Sequence, residues 1–405
     1  MKKVELLAPA GDLEKLKIAL LYGADAVFLG GRKFSLRARA SNFDIADIKK
    51  AVAFAHGLGK KVYVTTNIFP HQDDLPGLVD YLKTLEAIGV DAVICASAAV
   101  IDAARTHTDL EIHVSTQQSI TNSKAADFWV KRGVKRVVLA REVSIGELEK
   151  LIPKTLAQTE VFIHGGMCVS YSGKCTLSNT MTDRDANRGG CAHSCRWNYD
   201  LFDGDEKLNR DIPFSMGSKD LQTVRYVSKL IDLGVDSLKI EGRMKSIHYI
   251  ATVVRTYRKL IDDITGEIDV DIPKYLLEIK KAENRLSSFG FMEGMTGIDQ
   301  QLYNLRSEQP TQEFVGLVHD YDEKTKTATI EQRNHFKSGE TLEVLSPNFE
   351  PVSFIATDMV NDKGEKVSIA RHPKERLRLH IPFPVAKYDM LRKVKKNRIV
   401  SRNET

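Results

Sequence analysis

The sequence predicts an α/β protein: a TIM-type (β/α)8 barrel with a Cys-rich insertion after strand seven, followed by a small antiparallel β-barrel domain. Three observations carry that reading. Short β-rich apolar runs alternate with stretches of helical periodicity over residues 1–250. A glycine-containing turn phrase recurs between helix and strand. Beyond residue 310 the helical periodicity stops, and short β candidates follow one another between Gly, Asp and Asn turns. The expected boundaries are 1–265 for the barrel with its insertion at 166–218, 266–310 for a helical extension and linker, and 311–405 for the small β-barrel with a basic tail.

The apolar runs are 4–8, 26–29, 62–66, 92–96, 111–115, 136–139, 161–164 and 237–240. Between them apolar residues fall at helical spacing, as in Leu13, Leu16, Ile18, Ala19 and Leu20, or Leu221, Val224, Val227, Leu230 and Ile231, so the unit is βα repeated. The phrase Tyr22-Gly23-Ala24-Asp25 returns as Ile88-Gly89-Val90-Asp91 and as Leu233-Gly234-Val235-Asp236, with the glycine suited to a left-handed helix C-cap. Strands this continuously apolar need cover on both faces, which means a parallel sheet. Eight βα units close most economically as a barrel, a doubly wound open sheet being the alternative. Past 310 the β candidates are 314–318, 327–331, 341–345, 354–358, 367–369 and 390–393, after a linker at Gln309-Pro310-Thr311-Gln312.

In a barrel, chemistry sits beyond the strand C-termini. His113, His164 and Glu241 each sit near a strand end and are candidates for proton handling. Asn67 and Gln117 are candidates for orienting a substrate. Arg37 and Arg39 alternate in the segment after strand two and are spaced to grip a carboxylate or phosphate; Arg243, after strand eight, joins them as an anion-holding candidate.

Five cysteines are unevenly placed. Four form the pattern Cys168-x6-Cys175-x15-Cys191-x3-Cys195 in the long segment between strands seven and eight, while Cys95 sits in an apolar run as a small core residue. Four thiolates so spaced can hold one tetrahedral zinc or an iron-sulfur cluster, and either would order a loop with little core of its own. Structural zinc usually takes two close Cys-x2-Cys pairs; intervals of six and three lean toward a cluster and leave zinc open.

The 405 residues are 42% hydrophobic and 28% charged, enough for a large core. No apolar run approaches the roughly 20 residues that cross a bilayer, and Glu5 and Asp12 interrupt the N-terminus before a signal-peptide stretch forms, so a cytoplasmic protein without membrane contact is expected. The net charge of +5 is uneven: residues 371–405 carry 11 Lys and Arg against 3 Asp and Glu, the remainder 48 against 51. Arg376, Arg378, Lys387, Arg392, Lys393, Lys395, Lys396 and Arg398 are candidates for gripping a nucleic-acid backbone.

The run from Glu160 through His164-Gly165-Gly166-Met167-Cys168 and Tyr171-Ser172-Gly173-Lys174-Cys175 to Ser178 resembles the signature of the U32 family, historically called peptidases or collagenase-like proteases. Leu6-Leu7-Ala8-Pro9-Ala10-Gly11, the stretch 34–43, Asn187-Arg188-Gly189-Gly190-Cys191 and Lys239-Ile240-Glu241-Gly242-Arg243 extend the resemblance over about the first 260 residues. Overall length looks like the branch of prephenate-dependent tRNA uridine hydroxylation proteins. The resemblance implies an iron-sulfur cluster, of 4Fe-4S type, on Cys168, Cys175, Cys191 and Cys195. It also implies prephenate as co-substrate, tRNA as substrate with 5-hydroxyuridine formed at the wobble position, and a second U32-family protein as a partner. The alternatives are a U32 peptidase, and an RNA-binding or assembly protein with a structural metal. The chain contains neither a His-Glu-x-x-His zinc helix nor a Gly-x-Ser-x-Gly elbow.

Overall fold

The computed structural model describes residues 3–36, 42–209, 214–282, 285–302 and 313–394. The chain divides into two compact units, Met1–Ile279 with Glu283–Gln309, and Lys280–Ala282 with Pro310–Thr405. The extension expected over 266–310 therefore belongs with the first unit for most of its length. The linker at 309–312 lies outside the described residues.

The first unit is a closed parallel barrel. Its strands are β1 (Glu5–Pro9), β2 (Ala26–Gly30), β3 (Lys61–Thr66), β4 (Ala92–Cys95), β5 (Glu111–Val114), β6 (Arg136–Val138), β7 (Gln158–Gly165) and β8 (Ser237–Ile240), in that order around the sheet. Closure comes from β8, which pairs in parallel with both β1 and β7. Each expected run is a strand. Helices α1 (Leu13–Leu21), α2 (Ile45–Gly57), α3 (Leu78–Ala87), α4 (Ala98–His107), α5 (Ser123–Val130) and α6 (Ile145–Leu151) follow the first six strands. Side-chain oxygens of Asp12, Asp44, Ser97, Asn122 and Ser144 cap five of them, satisfying amide groups that the first turn leaves open. The recurrent turn glycines Gly23, Gly89 and Gly234 adopt φ of +112°, +84° and +81°, the left-handed conformation that side-chained residues avoid. Among the described residues no helix is long and apolar enough to cross a membrane.

The lower barrel interior is filled with charge. Glu160 on β7 is fully buried and accepts a hydrogen bond from Lys239 Nζ at 2.6 Å and from Arg136 Nη1 at 3.4 Å. Arg136 also donates to Glu5 at 2.5 Å, and Glu5 accepts from Tyr63 OH at 2.6 Å and Ser237 Oγ at 2.8 Å. His113 belongs to this network, which corrects its expected place at the mouth: it is buried, bonded through Nε2 to Glu111 at 2.8 Å and packed edge-on against Tyr63. Its side chain points into the barrel from the penultimate residue of β5, toward the N-terminal half. Burial holds its pKa below the usual histidine range.

His164 is corrected for a different reason. Register slips by one residue between Lys239 and Ile240, so that Lys239 pairs with Phe162 and Ile240 with His164. Side chains alternate along a strand, and this bulge turns His164 from the interior to the helical layer. There it lies against Tyr249 and Tyr257 of α9 (Ile247–Thr265), with Tyr257 OH 3.3 Å from Nδ1. Burial pushes its pKa down to about 3. The carbonyl of Ile163 at the bulge accepts instead from Thr223 N–H at 3.1 Å, Thr223 Oγ1 at 2.9 Å and Tyr257 OH at 3.0 Å. The same arrangement explains why Leu221 and Val224 do not continue a helix as their spacing predicts. A short strand Asp220–Gln222 pairs antiparallel with the end of β7, and α8, after α7 (Leu177–Thr182), spans only Val227–Asp232.

The second unit contains a seven-stranded antiparallel sheet. In chain order its strands are β9 (Phe314–Asp322), β10 (Thr327–Gln332), β11 (Thr341–Leu345), β12 (Val352–Ile355), β13 (Thr357–Val360), β14 (Arg376–His380) and β15 (Met390–Lys393). Spatial order is β12-β11-β15-β9-β10-β14-β13. The expected strand at 354–358 is two strands divided at Ala356. The sequence reading missed β14, whose Arg-Leu-Arg-Leu-His alternation buries Leu377 and Leu379.

Two predictions follow from the buried charges. Glu160→Gln leaves Lys239 and Arg136 inside the barrel without their carboxylate and is expected to lower unfolding free energy by about 3 kcal/mol in urea titration. For His164 the proton is excluded from the folded state, whereas the unfolded side chain titrates near the ordinary histidine value of 6.5. Its contribution is complete above that pH and falls as pH drops toward 3, amounting to a loss of about 2 kcal/mol between pH 7 and pH 5. His164→Gln should flatten that part of the stability profile.

Candidate active site

The loops beyond the strand ends form the barrel mouth, and Arg243 anchors one side of it. The residue is 3% exposed, and its guanidinium donates to Ser35 Oγ at 3.1 Å, Asn42 Oδ1 at 2.7 Å and Thr65 Oγ1 at 3.5 Å. It thus reaches from the end of β8 across to the loop after β2 and to β3 itself. Gly30 accommodates it, because a Cβ there would collide with the guanidinium and with Ser35. Asn67 is half-buried, and its Oδ1 accepts from the Leu36 N–H at 3.1 Å, so it shapes the same loop. Arg37 and Arg39 lie outside the described residues.

The segment that bears the cysteines crosses the mouth. Asn187 O accepts from Phe69 N–H at 3.1 Å and Arg188 pairs with Asp74 at 2.8 Å, both after β3. Gly173, at φ +71°, packs on the backbone of Gln117, where a side chain would not fit. Ser119 donates to Ser172 O. Glu142, after β6, accepts from Ser172 N–H at 2.9 Å and Ser172 Oγ at 2.8 Å, and Arg141 donates to Gly166 O. Gln117 is accordingly half-buried beneath the segment.

Cys168 and Cys191 are exposed, Cys175 and Cys195 half-buried, and none forms a disulfide. Burial raises the thiol pKa of Cys195; the neighbouring Arg196 opposes that rise, and the charges of Cys168, Cys191 and Cys175 add to it. Among the described residues no three His, Cys, Asp or Glu side chains converge closely enough to hold a single metal ion. The donor chemistry suits a soft metal. Cys95 is fully buried beside Thr66, its thiol pushed up to about 12 by burial, as expected of a core residue.

A cluster that sequence reasoning did not find surrounds the end of β7. Asp220 is 7% exposed, with Lys245 Nζ 3.5 Å from Oδ2 and Arg285 Nη1 3.6 Å from Oδ1. Burial raises the pKa of its carboxyl, against the pull of Lys245 and Arg196. Glu241 and Arg196 stand beside it around Gly166, and Glu241 is half-buried. Asp220 was hidden because helical spacing masked the short strand that carries it.

In the second unit the basic residues separate. Arg376, Arg378 and Lys387 are exposed. Arg392 corrects the expectation: it is fully buried, with Nε and Nη2 each 2.6 Å from Glu343, and has no surface to offer a phosphate. Lys393 is half-buried between Glu313 at 3.0 Å and Glu340 at 3.4 Å. Lys395, Lys396 and Arg398 lie outside the described residues.

Comparison with known proteins bears on both units. Residues 11–302 match peptidase family U32, and residues 310–392 match the peptidase family U32 C-terminal domain. The chain is 46% identical over 403 residues to tRNA hydroxylation protein P1 of Bacillus subtilis, covering 97% of this chain and 96% of that one. It is 34% identical to tRNA hydroxylation protein P of Escherichia coli, with 95% and 94% covered. A collagenase of Porphyromonas gingivalis is 34% identical over 64% of this chain and 65% of its own length. Extending through both units, these matches establish that the chain belongs to peptidase family U32 and is closely related to the tRNA hydroxylation proteins within it.

Proposed function

We propose that this protein forms 5-hydroxyuridine at the wobble position of tRNA, with prephenate as co-substrate and an iron-sulfur cluster as cofactor. The observation that carries the reading is the 46% identity to a tRNA hydroxylation protein along nearly the whole of both chains. Cys168, Cys175, Cys191 and Cys195 would hold the cluster, which when bound supplies one-electron chemistry. The four cysteines are the soft sulfur donors that such a cluster takes.

Prephenate carries two carboxylates, and Arg243, with Arg37 and Arg39 from the sequence after β2, would supply the guanidinium groups for them. Asn67 and Gln117 hold the loops that frame it. Glu241 is the proton-handling group, because it alone of the three candidates stands at the mouth; His113 and His164 serve the barrel's packing. Arg376, Arg378 and Lys387, with Lys395, Lys396 and Arg398, are the phosphate-contacting set, and a second U32-family chain is the expected partner. The peptidase reading has the collagenase relative in its favour, and it is separated from ours by nucleoside analysis.

A strain lacking the gene should lose 5-hydroxyuridine and its derivatives from bulk tRNA by mass spectrometry. Wild type should restore them and Cys168→Ser should not; unchanged nucleosides in the deletion strain would move the peptidase reading ahead. The double variant Arg37→Ala with Arg243→Ala is expected to reduce modification at least about 100-fold while retaining its iron, measured by metal analysis beside the tRNA assay. Normal modification by that variant would sink the anion assignment.

A further inference from the structure

Three charged side chains turn toward one point at the end of β7. A methyl group on Gly166 would stand 3.1 Å from Arg196 Nη2, 3.8 Å from Asp220 Oδ1 and 3.9 Å from Glu241 Oε2. Glycine keeps that point clear, and Gly166, Arg196 and Glu241 are all partly open to solvent. Asp220 is the buried member. Its Oδ1 accepts no hydrogen bond from the described residues, although Arg285 Nη1 lies 3.6 Å away. A buried carboxylate oxygen in that state gains free energy from any ligand N–H that reaches it. Arg196 already gives one N–H to Met167 O at 3.2 Å, and its planar fork carries others.

The niche therefore sets an acceptor beside a donor, and this selects a chemical class. An anion is repelled by Asp220 and Glu241. A cation meets Arg196, with Lys245 and Arg285 behind it. What matches is a neutral group with an N–H next to a carbonyl oxygen. The imide edge of uracil has this arrangement, its N3–H lying between two carbonyls, whereas cytosine presents a bare N3 at the same place. Enzymes that act on a base take it out of the stack and read this edge by hydrogen bonds. Trp197, next to Arg196 and 42% exposed, offers an aromatic face on the same segment for a base to stack on.

We infer that Gly166, Arg196 and Asp220 form the recognition site for the imide edge of the target uridine, with Asp220 Oδ1 accepting from N3–H and Arg196 donating to the adjacent carbonyl. This rests on the tRNA reading above and adds to it the residues that distinguish uridine from cytidine. It also divides the mouth, with the small anion on the β2–β3 side and the base on the β7–β8 side.

The test uses the full-length protein and anticodon stem-loop RNAs that carry uridine, 3-methyluridine or cytidine at the target position, with affinity read by fluorescence anisotropy. Wild type is expected to prefer uridine about ten-fold over either alternative. Asp220→Ala should bring that preference close to one while the salt-dependent part of binding persists. Gly166→Ala is the second variant. Gly166 does not have a positive φ, and the added methyl presses only on the flexible end of Arg196, so the fold is retained while the niche is filled. Loss of preference in both variants supports the inference; wild-type preference retained in either overturns it. A wild type indifferent to the three RNAs also overturns it and leaves the tRNA reading standing, because that reading falls only if the deletion strain keeps its 5-hydroxyuridine.

Discussion

The carboxylate of Glu160 lies inside eight strands with no access to solvent, and the cations beside it make that position tenable. A parallel barrel has an interior filled by side chains in layers, most often branched aliphatics. Here one layer is ionic and joins β1, β3, β6, β7 and β8 through Glu5, Tyr63, Arg136, Glu160, Ser237 and Lys239, with His113 of β5 packed edge-on against Tyr63. The links are directional, as aliphatic packing is not, and they cross the seam where β8 must find both β7 and β1. Register at that seam decides which residues of β7 face inward, so the network and the bulge above it belong to one construction.

The bulge then determines what the mouth contains. By turning His164 outward it removes an imidazole from the barrel axis and frees the Ile163 carbonyl, which draws in Thr223 and with it the short strand that carries Asp220. Gly165 follows at φ +108°, its Cα pressed against the backbone of Glu241 so that no side chain fits. Glu241 and Arg243, two residues apart, serve different halves of the mouth: one faces Asp220 and Arg196, the other the loop after β2.

Much of this was legible in the sequence for a simple reason. Short apolar runs, three of them preceded by the same glycine turn phrase, are one-dimensional signals, and all eight barrel strands were readable from them. The clustering of four cysteines was readable in the same way. What could not be read was parity. His113 and His164 look equivalent near the ends of their runs, yet one points into a buried ionic layer and the other, past a one-residue slip, against Tyr249 and Tyr257. Arg392 seemed one more cation in a basic tail, and only the pairing of β15 with β11 brings Glu343 to it. β14 was within reach, since Arg-Leu-Arg-Leu-His alternates with period two, but its charge drew attention away from its pattern.

The cysteine-bearing segment is held by partners distant in sequence: Arg188 by Asp74, 114 residues away, Ser172 by Glu142, 30 away, and Gly173 by Gln117. Its described residues form one short helix, a few turns and a two-strand hairpin and bond among themselves, as Asn187 Nδ2 does to Cys175 O at 3.1 Å, yet these anchors to the barrel lie outside it. The segment is therefore not a transplantable cassette. Grafting it onto another eight-stranded barrel would carry over the four thiols and leave behind the loops that set their spacing, so within this fold its inheritance is tied to the loops after β3, β5 and β6.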